Sequence, residues 1–462
     1  MEKGNALSRL KELLASGKAR LQPLTFSQRE IWETSPVKPS DPANHICSYF
    51  EIKGPATVEQ MKLAVARVVE RQEAMRTSFL PGKERPLQII RASGGEPAVS
   101  FRELTEQEGQ PGAIEGVMAE GFFEPFDFLN GPLYRMCILQ RGPEDWVVAF
   151  TIHHAVGDGW TLGAFVGDLC TAYILGLREA GRQFGDMKGV RDALEPLVMT
   201  HSQWGAAERA QWKPVEIAKH VDFWKDRLSG SELLWGDASF DGDKSERLQR
   251  WVSEMNEDQA SAIRELARQN GVTTFNVLLA AFQWTLFKWT GKDDVVLGTP
   301  VANRTKASVR ETMGYFSGVV PLRGHIDSRQ AFADRVKQVH EETMDAFEHA
   351  IPFAELAETL GEPKSPQQHS VFDTRFAYQN HPMPEISLPG VSTKVRVIST
   401  GTARFDLACE LTEDNGGFEV VWLYRSSVVS LEDVHGLNKL FQEVLTSVCS
   451  HPEITAAAAM NV

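Results

Sequence analysis

Asp145-Trp-Val-Val-Ala-Phe-Thr-Ile-His153-His154-Ala155-Val156-Gly157-Asp158-Gly159-Trp160 is the stretch on which the reading of this chain turns. Its first half is a β-rich apolar run. Its end passes through two glycines into an amphipathic helix, with Leu162, Phe165, Val166, Leu169 and Tyr173 at helical spacing. Two histidines stand at the junction. Neighbours on a strand point to opposite faces, so His153 and His154 take different tasks: one ring turns into the packed interior, the other toward a cleft. Gly157 and Gly159 permit a tight strand-to-helix turn. Asp158 needs water or a cation if it is buried. The helix start offers unpaired N–H groups and a positive dipole end, suited to polarising a carbonyl oxygen. On these residues alone two readings stand level: a catalytic histidine at a cleft, or a satisfied core pair with Asp158 as a helix cap.

Outward from the junction, helices and strands alternate in two blocks. Upstream, residues 5–16 read as an amphipathic helix with Leu7, Leu10, Leu13 and Leu14 on one side, packing on the body or docking a partner. A strand follows over 45–53, then a helix capped by Thr57 and running to Glu73. Residues 132–140 and 145–154 form a hairpin around Arg141-Gly142-Pro143-Glu144. Downstream, helices are expected over 258–269, 273–289, 329–347 and 431–449. Strands are expected over 294–302, 319–324, 371–379, 391–399, 405–413 and 418–424. A polar helical stretch over 200–228 separates the blocks. The pattern predicts an α/β (α+β) architecture of two lobes, 1–205 carrying the histidine pair and 206–462 completing a cleft.

Composition narrows the function classes. The chain has 462 residues and a net charge of -14. That charge disfavours nucleic acid and anionic membranes. The five cysteines contain no C-x-x-C pair, which suits reduced thiols in a cytoplasm rather than a zinc or redox site. The first 21 residues lack the apolar core of a secretory signal. The longest apolar helix-like run, 275–287, falls short of the ~20 residues of a membrane span and reads as a core helix. Phosphate-loop, dinucleotide and G-x-S-x-G motifs are absent. His340-Glu341 begins like H-E-x-x-H, but Met344 stands where the second histidine belongs. No metal and no permanently bound cofactor are expected.

The segment His153 to Gly159 resembles the H-H-x-x-x-D-G motif of nonribosomal peptide synthetase condensation domains, within the chloramphenicol-acetyltransferase-like superfamily. Other stretches resemble the family's motifs in order. Leu24-Thr-Phe-Ser-Gln-Arg-Glu-Ile-Trp32 is similar to S-x-x-Q-x-x-x-W. Arg71-Gln-Glu-Ala-Met-Arg-Thr-Ser-Phe79 is similar to R-H-E-x-L-R-T-x-F, with Gln72 in place of the histidine. Residues 198–204 keep chiefly Trp204. Leu297-Gly-Thr-Pro-Val-Ala-Asn-Arg304 is similar to I-G-T-P-V-A-x-R. Met313-Gly-Tyr-Phe-Ser-Gly-Val-Val-Pro-Leu-Arg323 resembles I-G-x-F-V-N-T-x-x-L-R, and His349-Ala-Ile-Pro-Phe353 resembles H-Q-D-V-P-F. Ser317-Gly318-Val319 stands where the family pattern has V-N-T, removing an amide and a hydroxyl.

The resemblance implies two acetyltransferase-like lobes in a V-shaped pseudo-dimer with the active site in a tunnel between them. It implies a lone condensation module that takes an acyl or peptidyl group from the phosphopantetheine arm of a carrier protein and passes it to an amine or hydroxyl. Under it, His154 is catalytic, while His153 and Asp158 are structural, Asp158 pairing with Arg304. Gly159 leaves room for the arm, and its N–H faces the thioester oxygen. Trp160, Ser317, Gly318 and Asn380 are candidates for the substrate channel, with Trp160 also read as packing. The partners implied are donor and acceptor carrier proteins or a small nucleophile, acting on a cytoplasmic monomer. Two other readings stay open: an acyl-CoA-dependent acyltransferase of the same fold, and a catalytically silent docking module.

Overall fold

The computed structural model describes residues 2–34, 44–54, 57–82, 86–110, 112–182, 190–236, 248–360, 371–379, 387–388, 391–392, 395–399, 405–414 and 416–459. The chain opens with α1 (Glu2–Ala15), β1 (Ala19–Pro23), α2 (Phe26–Thr34), β2 (His45–Lys53), α3 (Val58–Arg71), β3 (Thr77–Leu80) and β4 (Leu87–Arg91). It continues through β5 (Val99–Glu103), α4 (Ala113–Phe122), β6 (Tyr134–Gly142), β7 (Asp145–His153) and α5 (Gly159–Glu179). Two helices follow, α6 (His201–Gln211) and α7 (Pro214–Leu228). The second block is β8 (Gln249–Met255), α8 (Glu257–Asn270), α9 (Thr274–Thr290), β9 (Asp294–Val301), β10 (Gly318–His325), α10 (Phe332–Glu348) and α11 (Phe353–Thr359). Last come β11 (Thr374–Gln379), β12 (Ser387–Leu388), β13 (Val391–Ser392), β14 (Val395–Ser399), β15 (Leu407–Asp414), β16 (Gly417–Tyr424), α12 (Leu431–Ser450) and α13 (Ala456–Ala459).

Two sheets carry the two lobes. The first has strand order β14-β2-β7-β6-β5, and the second β10-β9-β11-β15-β16-β8. In the first lobe β7 lies between β2 and β6 and is covered on both faces, so all but its first residue are buried. Val148, Phe150 and Ile152 pack under α3 and α5, whereas Val147 and Ala149 face the residues of α4. This double cover is why the strand reads as a continuous apolar run. The helix α3 begins at a capping box between Thr57 and Gln60 and buries Met61, Ala64, Val65, Val68 and Val69. In the second lobe α9 starts at Thr273, ends at left-handed Gly291, and is buried from Asn276 to Leu286.

The structure corrects several expected boundaries. The run expected at 391–399 is two strands, and β14 leaves its own lobe: Val395 pairs with Phe50 and Ser399 with Ile46, so β14 is the edge strand of the first sheet. An edge position accepts any extended segment that brings unpaired backbone groups, which is why local sequence did not assign it. The helix expected to reach Glu73 ends at Arg71, and Glu73–Arg76 form a 3₁₀ turn. A division at residue 205 falls inside α6. Among the described residues the longest apolar helix is α5 rather than the stretch 275–287. It is long and apolar enough to cross a membrane by length and composition, yet thirteen of its residues are buried in the fold. The helix α1 packs on the body, with Leu10 buried against Ala19 and Ile89. All five cysteines are unpaired thiols, three of them buried.

Candidate active site

β7 ends at His153, and the chain then turns through a 3₁₀ segment, His154–Val156, into α5. His153 is the strand's last residue and is 1 % exposed. Its Nδ1 accepts the Ala155 N–H at 3.0 Å. Its ring meets Phe128 and Phe126 edge-on, with centroids 4.7 and 6.2 Å away, and His45 at 5.9 Å. His153 is thus the interior histidine. His154 has already left the strand and is half-buried. Its Nδ1 lies 2.8 Å from the Gly157 carbonyl oxygen. A carbonyl only accepts, so Nδ1 carries the proton and Nε2 is the basic nitrogen. The Tyr315 ring stands edge-on at 4.8 Å and 74°, forming a wall beside the imidazole.

Asp158 caps α5, accepting the Thr161 N–H at 3.0 Å. It is also the node joining the two halves of the chain. Arg304 Nη2 donates to both carboxylate oxygens at 3.1 and 3.3 Å, and the Phe316 N–H donates at 3.1 Å. The side chains are 2 % and 0 % exposed. Burial opposes the charge on Asp158, but Arg304 and the Phe316 and Thr161 amides outweigh it and hold the carboxyl below its ordinary value. Arg304 also donates to the carbonyls of Val309, Thr312 and Gly314 at 2.8, 2.6 and 3.2 Å, and lies 3.9 Å over the Phe316 ring.

These bonds fix residues 310–318, the segment that faces His154. Trp160 Nε1 donates to the Arg310 carbonyl at 2.9 Å, so Trp160 ties α5 to this segment. Ser317 Oγ is 3.5 Å from Asp158 Oδ2. Ser317 and Gly318 are half-buried, following a buried run from Thr312 to Phe316. His154, Asp158, Trp160, Arg304, Ser317 and Gly318 therefore come together, and Gly159 opens the helix beside them. Asn380 lies outside the described residues.

Several members of the site were not singled out from sequence. Gln28 is buried on α2 and donates to the Ala155 carbonyl at 2.9 Å, bracing the histidine turn. Ser27 Oγ and Asn303 Nδ2 both donate to the Phe316 carbonyl, at 3.0 and 2.9 Å. Asn303 has φ 52, the one non-glycine residue with positive φ among those described. His201 donates from Nε2 to the Tyr315 carbonyl at 3.0 Å, and burial pushes its pKa down. A Cβ on Gly314 would meet the His201 ring at 2.4 Å, so only glycine fits there. Gln72, the departure from the family's histidine, is fully used. Its Nε2 donates to Asp168 at 2.7 Å and to the Glu311 carbonyl at 2.9 Å, and its Oε1 accepts the Met313 N–H at 2.9 Å. Arg71 and Arg191 link Asp168 to Glu311 across the same junction. A motif match carries no partner information, so these roles appear only once the segments 199–204 and 310–318 are seen together.

Among the described residues no group of three or more histidine, cysteine, aspartate or glutamate side chains is placed to hold a metal ion.

The architecture and the histidine turn define a two-lobe protein of the acetyltransferase-like pseudo-dimer type. Solved structures share the fold. The condensation domain from Monacolin K polyketide synthase MokA superimposes with a TM-score of 0.79 at 18% identity, covering 95% of this chain and 99% of that one. The X-domain from teicoplanin biosynthesis gives 0.80 at 21%, covering 94% and 96%. The first condensation domain of the calcium-dependent antibiotic synthetase gives 0.78 at 21%, covering 95% and 98%. Residues 18–459 match the condensation domain family, and the chain belongs to it. It is 26% identical over 446 residues to a linear gramicidin synthase of Brevibacillus parabrevis, covering 93% of this chain and 8% of that protein. It is also 26% identical over 447 residues to phosphinothricin tripeptide synthetase PhsC of Streptomyces viridochromogenes, covering 94% and 40%. The chain thus spans less than a tenth of the length of the gramicidin synthase.

Proposed function

We propose that this chain transfers an acyl or peptidyl group from the phosphopantetheine thioester of a carrier protein to an amine or hydroxyl, with His154 at the reacting centre. The observation that carries this reading is the orientation of His154. Its Nδ1–H is held by the Gly157 carbonyl, so Nε2 is the basic nitrogen of a half-buried ring whose neighbour His153 is sealed in the core. The nucleophile attacks the thioester carbon, the carbon–sulfur bond breaks, and the sulfur leaves as a thiolate. Nε2 takes or steers the proton released by the nucleophile, and that proton ends on the departing sulfur or in solvent. Holding two tethered substrates head to head removes much of the entropic barrier. An amine that arrives deprotonated needs positioning more than a base; a hydroxyl needs the base.

In this reading Asp158 and Arg304 are positioning residues. They fix the turn and hold residues 314–318 against it. Gly159, Trp160, Ser317 and Gly318 border the passage taken by the arm and the acceptor. The lobes divide near residue 205, within α6, with 395–399 reaching back to the first sheet. The protein works as a monomer in the cytoplasm, served by acyl or peptidyl carriers, without metal or bound cofactor.

The test is product formation, read by mass spectrometry, with the acyl group loaded on carrier protein or on CoA. His154→Ala should cost about 10²-fold or more while the circular dichroism spectrum is retained. Equal turnover of the CoA and carrier donors would instead favour an acyl-CoA acyltransferase. A second reading, a docking module without catalysis, draws on the shared fold of the teicoplanin X-domain. Wild-type turnover that His154→Ala abolishes eliminates it.

A further inference from the structure

The imidazole of His154 is fenced on two sides. Its Nδ1 edge is taken by the Gly157 carbonyl at 2.8 Å. A second flank is closed by the Tyr315 ring, which stands edge-on with its centroid 4.8 Å away and the planes at 74°. Aromatic pairs in this arrangement span about 4.5–7 Å, so these two rings are in van der Waals contact. Carbon atoms pack at about 3.5–4.0 Å, so not even a methyl group fits between them. A nucleophile reaches Nε2 only by the side that remains.

The Tyr315 wall is pinned. The residue is 3% exposed. Its carbonyl accepts from His201 Nε2 at 3.0 Å. On one side the Phe316 N–H donates to Asp158 at 3.1 Å, and the Phe316 carbonyl accepts from Ser27 and Asn303 at 3.0 and 2.9 Å. On the other, Gly314 lies so near His201 that an added Cβ would stand 2.4 Å from its ring. A loosely held side chain adapts to its guest, whereas a ring locked by its supports selects among guests.

A general base works on an atom about 2.6–3.2 Å away. Whatever narrows the approach to Nε2 therefore acts on the nucleophilic atom and the carbon that bears it. Resting on the reading of His154 as the reacting centre, we propose that Tyr315 determines acceptor specificity. It admits a primary amine or alcohol carried on an unbranched CH₂ and disfavours one whose bearing carbon is branched. The ring carries this role, and the phenolic hydroxyl is not needed for it.

The experiment reads access to Nε2 by alkylation, which requires no turnover. The whole chain is treated with bromoacetamide, and with 2-bromopropanamide, which has a methyl group on the reacting carbon. In each case the imidazole nitrogen attacks that carbon, the carbon–bromine bond breaks and bromide leaves. Peptide mapping by mass spectrometry gives the rate at each histidine. His325 and His451, with side chains 67% and 69% exposed, supply the intrinsic ratio of the two reagents. In wild type the unbranched-to-branched ratio at His154 should exceed that reference about tenfold or more, the scale of one misplaced carbon in a tight site. Tyr315→Phe should keep the wild-type ratio. Tyr315→Ala, or Tyr315→Leu where circular dichroism shows the alanine variant unfolded, should bring it within about threefold of the reference. A wild-type ratio equal to the reference overturns the proposal. So does a His154 that neither reagent modifies, or a high ratio that survives loss of the ring. Turnover is read separately, with propylamine and isopropylamine competing for one loaded donor. Wild type should favour propylamine about tenfold and the ringless variant should not; equal use of both amines by wild type overturns the proposal. Absence of turnover beside the expected alkylation pattern counts against His154 as the reacting centre, not against the barrier formed by Tyr315.

Discussion

Asp158→Ala should unfold this protein far below the wild-type temperature, because it strands a charge that no water reaches. The Arg304 side chain is 0% exposed and the Asp158 side chain 2%. Removing the carboxylate leaves the guanidinium with carbonyl acceptors only, and breaking a buried pair in this way costs about 3–5 kcal/mol. The α5 cap is lost with it, at about 1 kcal/mol. The Phe316 N–H, 3.1 Å from Asp158 Oδ2, loses its acceptor too. The terms share one network and do not add, so about 4–5 kcal/mol is expected. At roughly 2–4 °C per kcal/mol for domains of a few hundred residues, the melting temperature should fall by about 10 °C or more. Differential scanning calorimetry measures this, with turnover followed at a temperature where both proteins are folded.

Double substitution sharpens the case. D158A/R304M removes both charges and should recover more than 1 kcal/mol relative to the sum of the single changes. The acid limb gives an independent check. The folded pKa of Asp158 lies below its unfolded value of about 3.9. Its stabilisation is therefore full above that value and lost as pH falls through the folded pKa. The gap between wild type and Asp158→Ala should persist at pH 5 and narrow only in strong acid. A variant that melts within about 2 °C of wild type at pH 7 would refute the claim that this pair holds the turn.

Three further outcomes follow from the same contacts. Gln72→Leu should cost about 3 kcal/mol in urea unfolding, because it strands the Met313 N–H and removes two bonds to Asp168 and Glu311; Gln72→His, which restores one donor and one acceptor, should cost about 1 kcal/mol. The Glu208 carboxyl is pushed up to about 7 by burial, against the Phe26 N–H and Arg209. Its folded pKa exceeds its unfolded one, so its contribution is full below about pH 4.3 and declines as pH rises to about 7. Glu208→Gln should then melt higher than wild type at pH 8, with the difference vanishing toward pH 4; a difference that grows in acid would contradict the assignment. Gly314→Ala forces a Cβ to 2.4 Å from the His201 ring at φ +154 and should cost about 2–3 kcal/mol or more. Adding His201→Ala should return part of that loss in the same melts.

The sequence showed the fold where the physics is local. Thr57 was read as a helix cap and forms a reciprocal cap with Gln60; the structure shows the same box between Thr273 and Asn276 and between Ser430 and Asp433. That the two histidine rings lie in different surroundings was also legible, though for a partly different reason. Strand alternation was expected to separate them, whereas in the structure His153 closes the strand and His154 belongs to the next turn. The pairing of Asp158 with Arg304 was expected from resemblance and is present, because a buried carboxylate at a helix start must find a cation. What did not show were pairings set by distance in the chain. β14 satisfies an open edge some 350 residues away. Gln28, His201 and Asn303 carry polar groups whose partners are backbone carbonyls, and any residue type supplies a carbonyl.

That last class of contact governs how the site is assembled. The wall beside His154 is residues 310–318, and its backbone is held by side chains from α2, α3, α5, α6 and the end of β9. Ser27 and Asn303 take the Phe316 carbonyl, His201 the Tyr315 carbonyl, Trp160 the Arg310 carbonyl, and Gln72 the Met313 N–H. All but Asn303 lie in the first half of the chain, while the segment they grip lies in the second. The first lobe alone therefore places the imidazole but not the ring facing it. Tyr315 comes to 4.8 Å from His154 only when the two halves are docked. A change in lobe closure that leaves every residue of the histidine turn in place still alters the space between the His154 and Tyr315 rings. Such coupling runs through a set of discrete hydrogen bonds, so loosening any one of them should alter turnover more than it alters the fold of the turn itself.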